Sequence, residues 1–288
     1  MKQCLRDGTE LDKKIWYSGM FNVMYRTYTG RVLLKVLTKP RVSDMAGRML
    51  SAKASRVLVK PFVHSYKIDL SECEEEKYGS YNEFFSRRIR SEARPIDEDP
   101  KRLISPCDGQ LLVLPITEGG QFMVKGSSYT MKSLLRNDEL AAAYYNGQLL
   151  IFRLGVDDYH RYCFAVSGRK GESVSIPGVL HSVSPGVYDH CLVYKENSRE
   201  YCVVQTEHFG DVLVMEVGAL MVGKIVNHAV GEQVERGAEK GFFQFGGSTI
   251  ILALKAGAAE VDADILRNSR NNCETLVKYG EGIGTALI

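Results

Sequence analysis

The chain has 288 residues, 44% of them hydrophobic and 25% charged, with a net charge of +2. That composition is globular and able to bury a large core, which excludes a low-complexity or fibrous chain, and the length suits one large domain as well as two. No apolar run approaches the roughly 20 residues that a membrane span needs, and the start, Met1-Lys2-Gln3-Cys4-Leu5-Arg6-Asp7, has no signal-peptide core.

In chain order, residues 1–60 come first and hold 13 Lys and Arg against 4 Asp and Glu, while the rest holds 24 against 31. A basic front on a faintly acidic body implies an anionic partner, either nucleic acid or an anionic membrane surface. No nucleic-acid-binding motif is present, so no nucleic-acid partner is expected. Residues 10–60 read mainly as helices, broken near Gly30 and at Lys39-Pro40. Ile15, Trp16, Met20, Phe21 and Tyr25 lie there among Lys and Arg, which suits a helix lying in a lipid interface. Packing of the same residues on a core, with the charges facing solvent, fits equally well.

Residues 69–90 read as a short, charged helical segment ending at Phe84-Phe85. From 102 onward, short apolar runs alternate with Gly-rich turns, at 110–115, 121–124, 148–154, 172–176, 191–195, 201–205, 211–218 and 249–254. This spacing predicts an antiparallel β core with a helix near 131–135. The last ~20 residues are polar and Gly-rich, which predicts a loose end. The expected fold is α+β: a helical, basic, membrane-facing segment over 1–65, then a mainly antiparallel β core over 66–288. Seven Cys without regular CxxC spacing predict reduced thiols in a cytosolic setting rather than a disulfide framework, and no His/Cys spacing suits zinc, so no metal is expected.

The most informative residues are Gly246-Gly247-Ser248-Thr249, set between Gly241-Phe242-Phe243-Gln244-Phe245 and the apolar run Ile250-Ile251-Leu252-Ala253-Leu254, with 41 residues from Ser248 to the end. A serine behind two glycines can attack its own preceding carbonyl, that of Gly247, because glycine permits unusual backbone angles and close approach. The resulting ester, after β-elimination to dehydroalanine and hydrolysis, leaves an N-terminal pyruvoyl group, whose ketone binds a substrate amine and draws electrons from the α-carbon. Two plainer readings compete. One is a Gly-Gly turn with ordinary Ser and Thr; the other is a phosphate-cradling loop, although the P-loop lysine is missing.

The surrounding motifs favour the chemical reading. In order they are Asn82-Glu83-Phe84-Phe85-Ser86-Arg87, Arg94-Pro95-Ile96, Ser105-Pro106-Cys107-Asp108-Gly109, Lys125-Gly126 with Tyr129, and Asp158-Tyr159-His160-Arg161. Gly178-Val179-Leu180-His181-Ser182-Val183, Val217-Gly218-Ala219 and Lys240-Gly241 follow, leading into Ser248. This ordered set, spanning roughly 60 to 260, resembles the phosphatidylserine decarboxylases, whose processing sites include a GGST form.

The resemblance implies cleavage between Gly247 and Ser248, a pyruvoyl cofactor made from Ser248, and conversion of phosphatidylserine to phosphatidylethanolamine and CO2. It also implies an Asp-His-Ser relay for self-cleavage, with Asp108 as its carboxylate. Many family members carry a second histidine three positions after the one at His160, and here that position is Cys163. A neutral thiol is a poor substitute for imidazole, so His160 is the expected base for cleavage and later proton transfer, the plainer alternative being a packed histidine bonded to Asp157 or to a backbone carbonyl. Cys163 and His181 are lesser candidates, and His64, His190, His208 and His228 lack local support. Arg87, Arg88, Arg161 and Lys125 have the chemistry to bind a phosphodiester or carboxylate.

The implied setting is peripheral, on the cytoplasmic face of the membrane. The expected partners are phosphatidylserine, an anionic membrane surface, the two fragments of the chain's own cleavage and a possible homodimer. Two other functions stay open: an uncleaved lipid-binding protein on the same scaffold, and a pyruvoyl decarboxylase of a soluble amino acid.

Overall fold

The computed structural model describes residues 2–11, 24, 25, 27–75, 77–124, 126–182, 192–219, 224–244 and 248–287. Near the start are β1 (Lys2–Cys4), β2 (Glu10–Leu11) and three helices, α1 (Tyr28–Leu37), α2 (Pro40–Ser51) and α3 (Val59–Tyr66). The short α4 (Tyr81–Phe85) leads to β3 (Arg102–Ile104), β4 (Gly109–Pro115), β5 (Gln121–Val124) and β6 (Ser127–Thr130). Next come α5 (Met131–Leu135), α6 (Asp138–Ala142), β7 (Gln148–Leu154), β8 (Arg161–Cys163), β9 (Gly168–Lys170) and β10 (Val174–Ile176). Then α7 (Val193–Glu196) precedes β11 (Arg199–Gln205), β12 (Asp211–Val217), β13 (Ile225–Asn227), β14 (Gln233–Val234) and β15 (Glu239–Phe243). The chain closes with β16 (Ser248–Leu254), β17 (Ala259–Val261), α8 (Ala263–Arg270), β18 (Cys273–Val277) and β19 (Gly282–Ala286).

The described strands form an 11-stranded sheet in the order β14-β9-β11-β12-β16-β7-β4-β18-β1-β2, with β10 also on β11. Its pairs are antiparallel except β1 with β18. Strand alternation sends side chains to two faces. On one face Ile250, Leu252 and Leu254 pack with Phe152, Tyr162, Phe164 and Phe243, under the small sheet β13-β15-β8. On the other, Ile251 and Ala253 pack with Tyr129, Leu134 and Tyr144, around α5 and α6. A separate cluster joins Phe84 and Phe85 of α4 to Phe62 and Val63 of α3.

The expected β core and the helix at 131–135 are present. Several expectations need correction or refinement. The expected break near Gly30 is present just before α1: Met24 and Tyr25 are helical, Thr27 is not, and α1 starts at Tyr28 with Gly30 inside it; Lys39-Pro40 is the next break, Pro40 sitting in the first turn of α2 where its missing N–H costs nothing. Part of 191–195 is helical, as α7. The last ~20 residues are no loose end: β18 lies between β4 and β1, and β19 between β17 and β3. Their glycines reflect tight packing, since a Cβ on Gly284 would meet the Glu260 carbonyl oxygen at 2.9 Å. Finally, the thiols are not all reduced. Cys4 and Cys273 form a disulfide, their Cα atoms 6.0 Å apart, because the parallel register puts Lys2 opposite Cys273 and Cys4 two residues further on the same face. Cys73, Cys107, Cys163 and Cys202 are free and buried.

No helix among the described residues is long and apolar enough to cross a membrane. Residues 2–4 and 10–11 of the expected helical front are strands of the main sheet instead. Ile15, Trp16, Met20 and Phe21 lie outside the described residues.

Candidate active site

Ser248 is the first residue of β16, where Thr249-Ile250-Ile251 supplies the β-branched run that favours a strand. The cleavage-site residue Gly247, with Phe245 and Gly246, lies outside the described residues. Ser248 is fully buried, opposite Leu154 of β7. Its hydroxyl has no hydrogen-bond partner among the described residues, nor has that of Thr249. Alternation separates the two: Ser248 shares a face with Ile250 and Leu252, under β8 and β15, and Thr249 shares the opposite face with Ile251.

His160 immediately precedes β8, and its carbonyl accepts from Phe243 N of β15 at 2.9 Å, in the layer that packs on the Ile250 and Leu252 face of β16. It is fully buried, with its ring centroid 4.0 Å from that of Phe85. Its Nδ1 lies 2.9 Å from the Asp158 carbonyl oxygen. A carbonyl only accepts, so Nδ1 carries the proton and, in the neutral ring, Nε2 keeps the lone pair a general base needs. Asp158 shapes this turn further, its Oδ2 accepting from Gly155 N at 2.7 Å and Gln110 Nε2 at 2.9 Å.

Asp108 stands at the entry to β4, at the same end of the sheet. Gly109 follows it because the backbone passes close to β7; a Cβ there would meet the Arg153 carbonyl oxygen at 2.9 Å. The Asp108 carboxylate accepts from Arg94 Nη2 at 2.7 Å and Nε at 2.9 Å, and from Tyr279 N at 2.8 Å. Cys163 is fully buried, and burial pushes its thiol up to about 12, so it is neither a thiolate nor a base at neutral pH. The His181 main chain is bonded on both sides to Asn197, which also donates to the Gly218 carbonyl, next to the Val217 that pairs with Thr249. Burial lowers the His181 pKa, so its ring is neutral at neutral pH.

The model of the family described as phosphatidylserine decarboxylase matches residues 81–285. The chain belongs to the phosphatidylserine decarboxylase family. Phosphatidylserine decarboxylase proenzyme 2 of Clostridium acetobutylicum is 42% identical over 278 residues, covering 94% of this chain and 95% of that protein. Phosphatidylserine decarboxylase proenzymes of Ruminiclostridium cellulolyticum and Fusobacterium nucleatum are 39% and 37% identical, over 93% and 97% of this chain and 91% and 95% of their own lengths.

For a phosphatidylserine decarboxylase family member, the surroundings of these residues matter as much as the motifs. A cavity of ≈ 230 Å³ beside Asp108 is lined by Lys67, Arg87, Arg94, Asp157, Asp158 and Tyr159 among others. Arg87 is 5% exposed and lies over the Phe84 ring at 5.1 Å. Its Nη2 donates to the Asp157 carbonyl at 3.3 Å, while Nε and Nη1 have no described partner. Arg161 is engaged by Glu239 at 2.8 Å and by the Ser86 carbonyl, Arg88 is more than half exposed, and Lys125 lies outside the described residues. Sequence motifs named these cations without separating them; burial singles out Arg87. Arg94 and Asp158 were missed as partners of Asp108 and His160, although both sit inside the quoted motifs. Among the described residues no group of three or more His, Cys, Asp or Glu is placed to hold a metal ion.

Proposed function

We propose that this chain is a self-processing, pyruvoyl-dependent decarboxylase that converts phosphatidylserine to phosphatidylethanolamine and CO2. The observation that carries this is the Ser248 hydroxyl: fully buried, without a described partner, at the first residue of a central strand and directly after two glycines. A buried orphan hydroxyl is disfavoured in a purely structural role. A residue destined to become the cofactor fits it.

In this reading His160 Nε2 takes the Ser248 proton while Oγ attacks the Gly247 carbonyl, and the C–N bond between the two residues breaks to leave an ester and a free amine on Ser248. β-Elimination then breaks the Cβ–Oγ bond, releasing the Gly247 carboxylate and leaving dehydroalanine, whose imine tautomer is hydrolysed by water to the pyruvoyl ketone and ammonia. Asp108, neutralising Arg94, holds the β4 entry in place rather than relaying charge. The pyruvoyl group supplies a ketone that condenses with the substrate amine and accepts the electron pair released as CO2 departs. His160 then holds the proton returned to the α-carbon. Arg87 offers two N–H groups to the substrate phosphodiester or carboxylate. All seven residues of β16 are buried between β12 and β7. Each large apolar side chain there contributes about 1.5–3 kcal/mol, so the 248–288 fragment stays docked after the cut.

The setting is a peripheral one. Around α1 to α3, Tyr28, Val32, Leu33, Met45, Met49, Val57 and Leu58 are exposed, among Lys35, Arg48, Lys53, Arg56 and Lys60. That combination suits an anionic lipid surface, reached from the cytoplasmic side.

Vesicles containing phosphatidylserine test the proposal. Freshly purified protein is expected to release CO2 and phosphatidylethanolamine. Turnover of free serine without vesicle binding would move the assignment to a soluble amino-acid decarboxylase; vesicle binding by an uncleaved, inactive chain would move it to a lipid-binding protein. His160→Gln is expected to slow cleavage by about 10²–10⁴-fold, read from the growth of the smaller fragment by mass, with circular dichroism unchanged.

A further inference from the structure

Residues 2–11 dock on the far end of the chain. β1 lies parallel to β18, and Leu5 accepts from Asn268 Nδ2 at 3.0 Å. The Arg6 guanidinium is engaged by three carboxylates, those of Asp262 at 2.6 Å, Asp264 at 2.7 Å and Glu281 at 2.8 Å. Cys4 is joined to Cys273 across a sequence separation of 269. Each of these partners lies after Ser248, whereas Cys4 and Arg6 lie before it.

We propose that the Cys4–Cys273 disulfide is a covalent strap between the two fragments of the processed protein, tying the pyruvoyl-bearing fragment 248–288 to the N-terminus of the larger one. This rests on the self-cleavage assigned to Ser248. Cleavage removes the peptide connection between β15 and β16; the disulfide supplies a covalent link through β18 of the small fragment instead. A small-molecule disulfide serves as the oxidant. The Cys4 thiolate attacks it and releases one thiol, then the Cys273 thiolate attacks the Cys4 sulfur of the mixed disulfide and releases the second. Two protein thiols are oxidised and one small disulfide is reduced to two thiols. Both cysteines are more than nine-tenths buried, which shields the bond from reductants while β1 stays in the sheet. The strap therefore makes retention of the small fragment redox-dependent when the fold loosens.

The test is an intact mass under denaturing conditions, with and without reductant, on protein purified without reductant and with free thiols blocked. The expected result is one species at the summed mass of both fragments, which reductant splits at 247/248. Cys4→Ser, remote from Ser248 and His160, is expected to cleave normally and to give two separate fragments without reductant, releasing the small one at lower urea than the parent does. Two separate fragments from the unreduced parent would overturn the strap while leaving self-cleavage intact. A joined species from Cys4→Ser would overturn the pairing. A single mass that reductant does not split would overturn self-cleavage, and the strap with it.

Discussion

Ser248→Ala is expected to leave the protein as one 288-residue chain with no decarboxylase activity above background. Enzymes of this kind exceed the uncatalysed rate by at least about 10⁶-fold, and removing the atom that becomes the cofactor forfeits all of it. The variant should nonetheless fold. The Ser248 hydroxyl is buried and makes no hydrogen bond among the described residues, so its loss removes no bond and lifts a desolvation cost. Thermal unfolding of the variant should match an uncleaved control to within about 1 kcal/mol. Thr249→Val is the companion variant. Thr249 is equally buried and without a described partner, but it points to the opposite face of β16, towards Ile251 rather than towards β8. It should therefore still cleave. Intact mass reads both variants, and a cleaved Ser248→Ala or an uncleaved Thr249→Val would reassign the nucleophile.

The second large effect lies beneath the small sheet. Lys240 of β15 and Glu216 of β12 form an ion pair at 2.8 Å, with side chains 2% and 0% exposed. Lys240 Nζ also donates to Asn227 Oδ1 at 3.0 Å, and Asn227 Nδ2 donates to Glu216 at 3.1 Å. Two charges this deep are tolerated only as a pair. Lys240→Met is therefore expected to destabilise the protein by roughly 3–5 kcal/mol, since it leaves the Glu216 carboxylate without its counter-charge. Adding Glu216→Leu should recover most of that loss, because two apolar side chains of similar volume suit the site. Urea unfolding in the Ser248→Ala background keeps the measurement on a single chain. A loss below ~1 kcal/mol for Lys240→Met, or no recovery in the double variant, would show that the pair is not what holds this layer.

Much of the fold was legible before any coordinates. The runs at 110–115, 148–154, 201–205, 211–218 and 249–254 all became central strands, because apolar alternation and bounding turns are properties of short stretches. The Gly-rich C-terminus misled for a related reason. Glycine reads as a loop signal, yet Gly284 is a glycine because the Glu260 backbone passes against it, and that neighbour is not local. Gly30 marked a real break only approximately: the chain bends at Thr27 and Gly30 itself is helical, since one glycine inside a helix costs only about 1 kcal/mol.

What the sequence determined by itself is the chemistry available: a serine behind two glycines, one histidine after paired aspartates, an ordered run of motifs and a basic front. Those depend on residue identity and spacing alone. Tertiary structure decided how they are wired. It set Ser248 and Thr249 on opposite faces, paired Asp108 with Arg94, made Cys163 a neutral core thiol, buried Arg87, and brought Cys4 to Cys273. Each of those outcomes rests on contacts between segments distant in the chain, which form only once the sheet has closed the long loops between them.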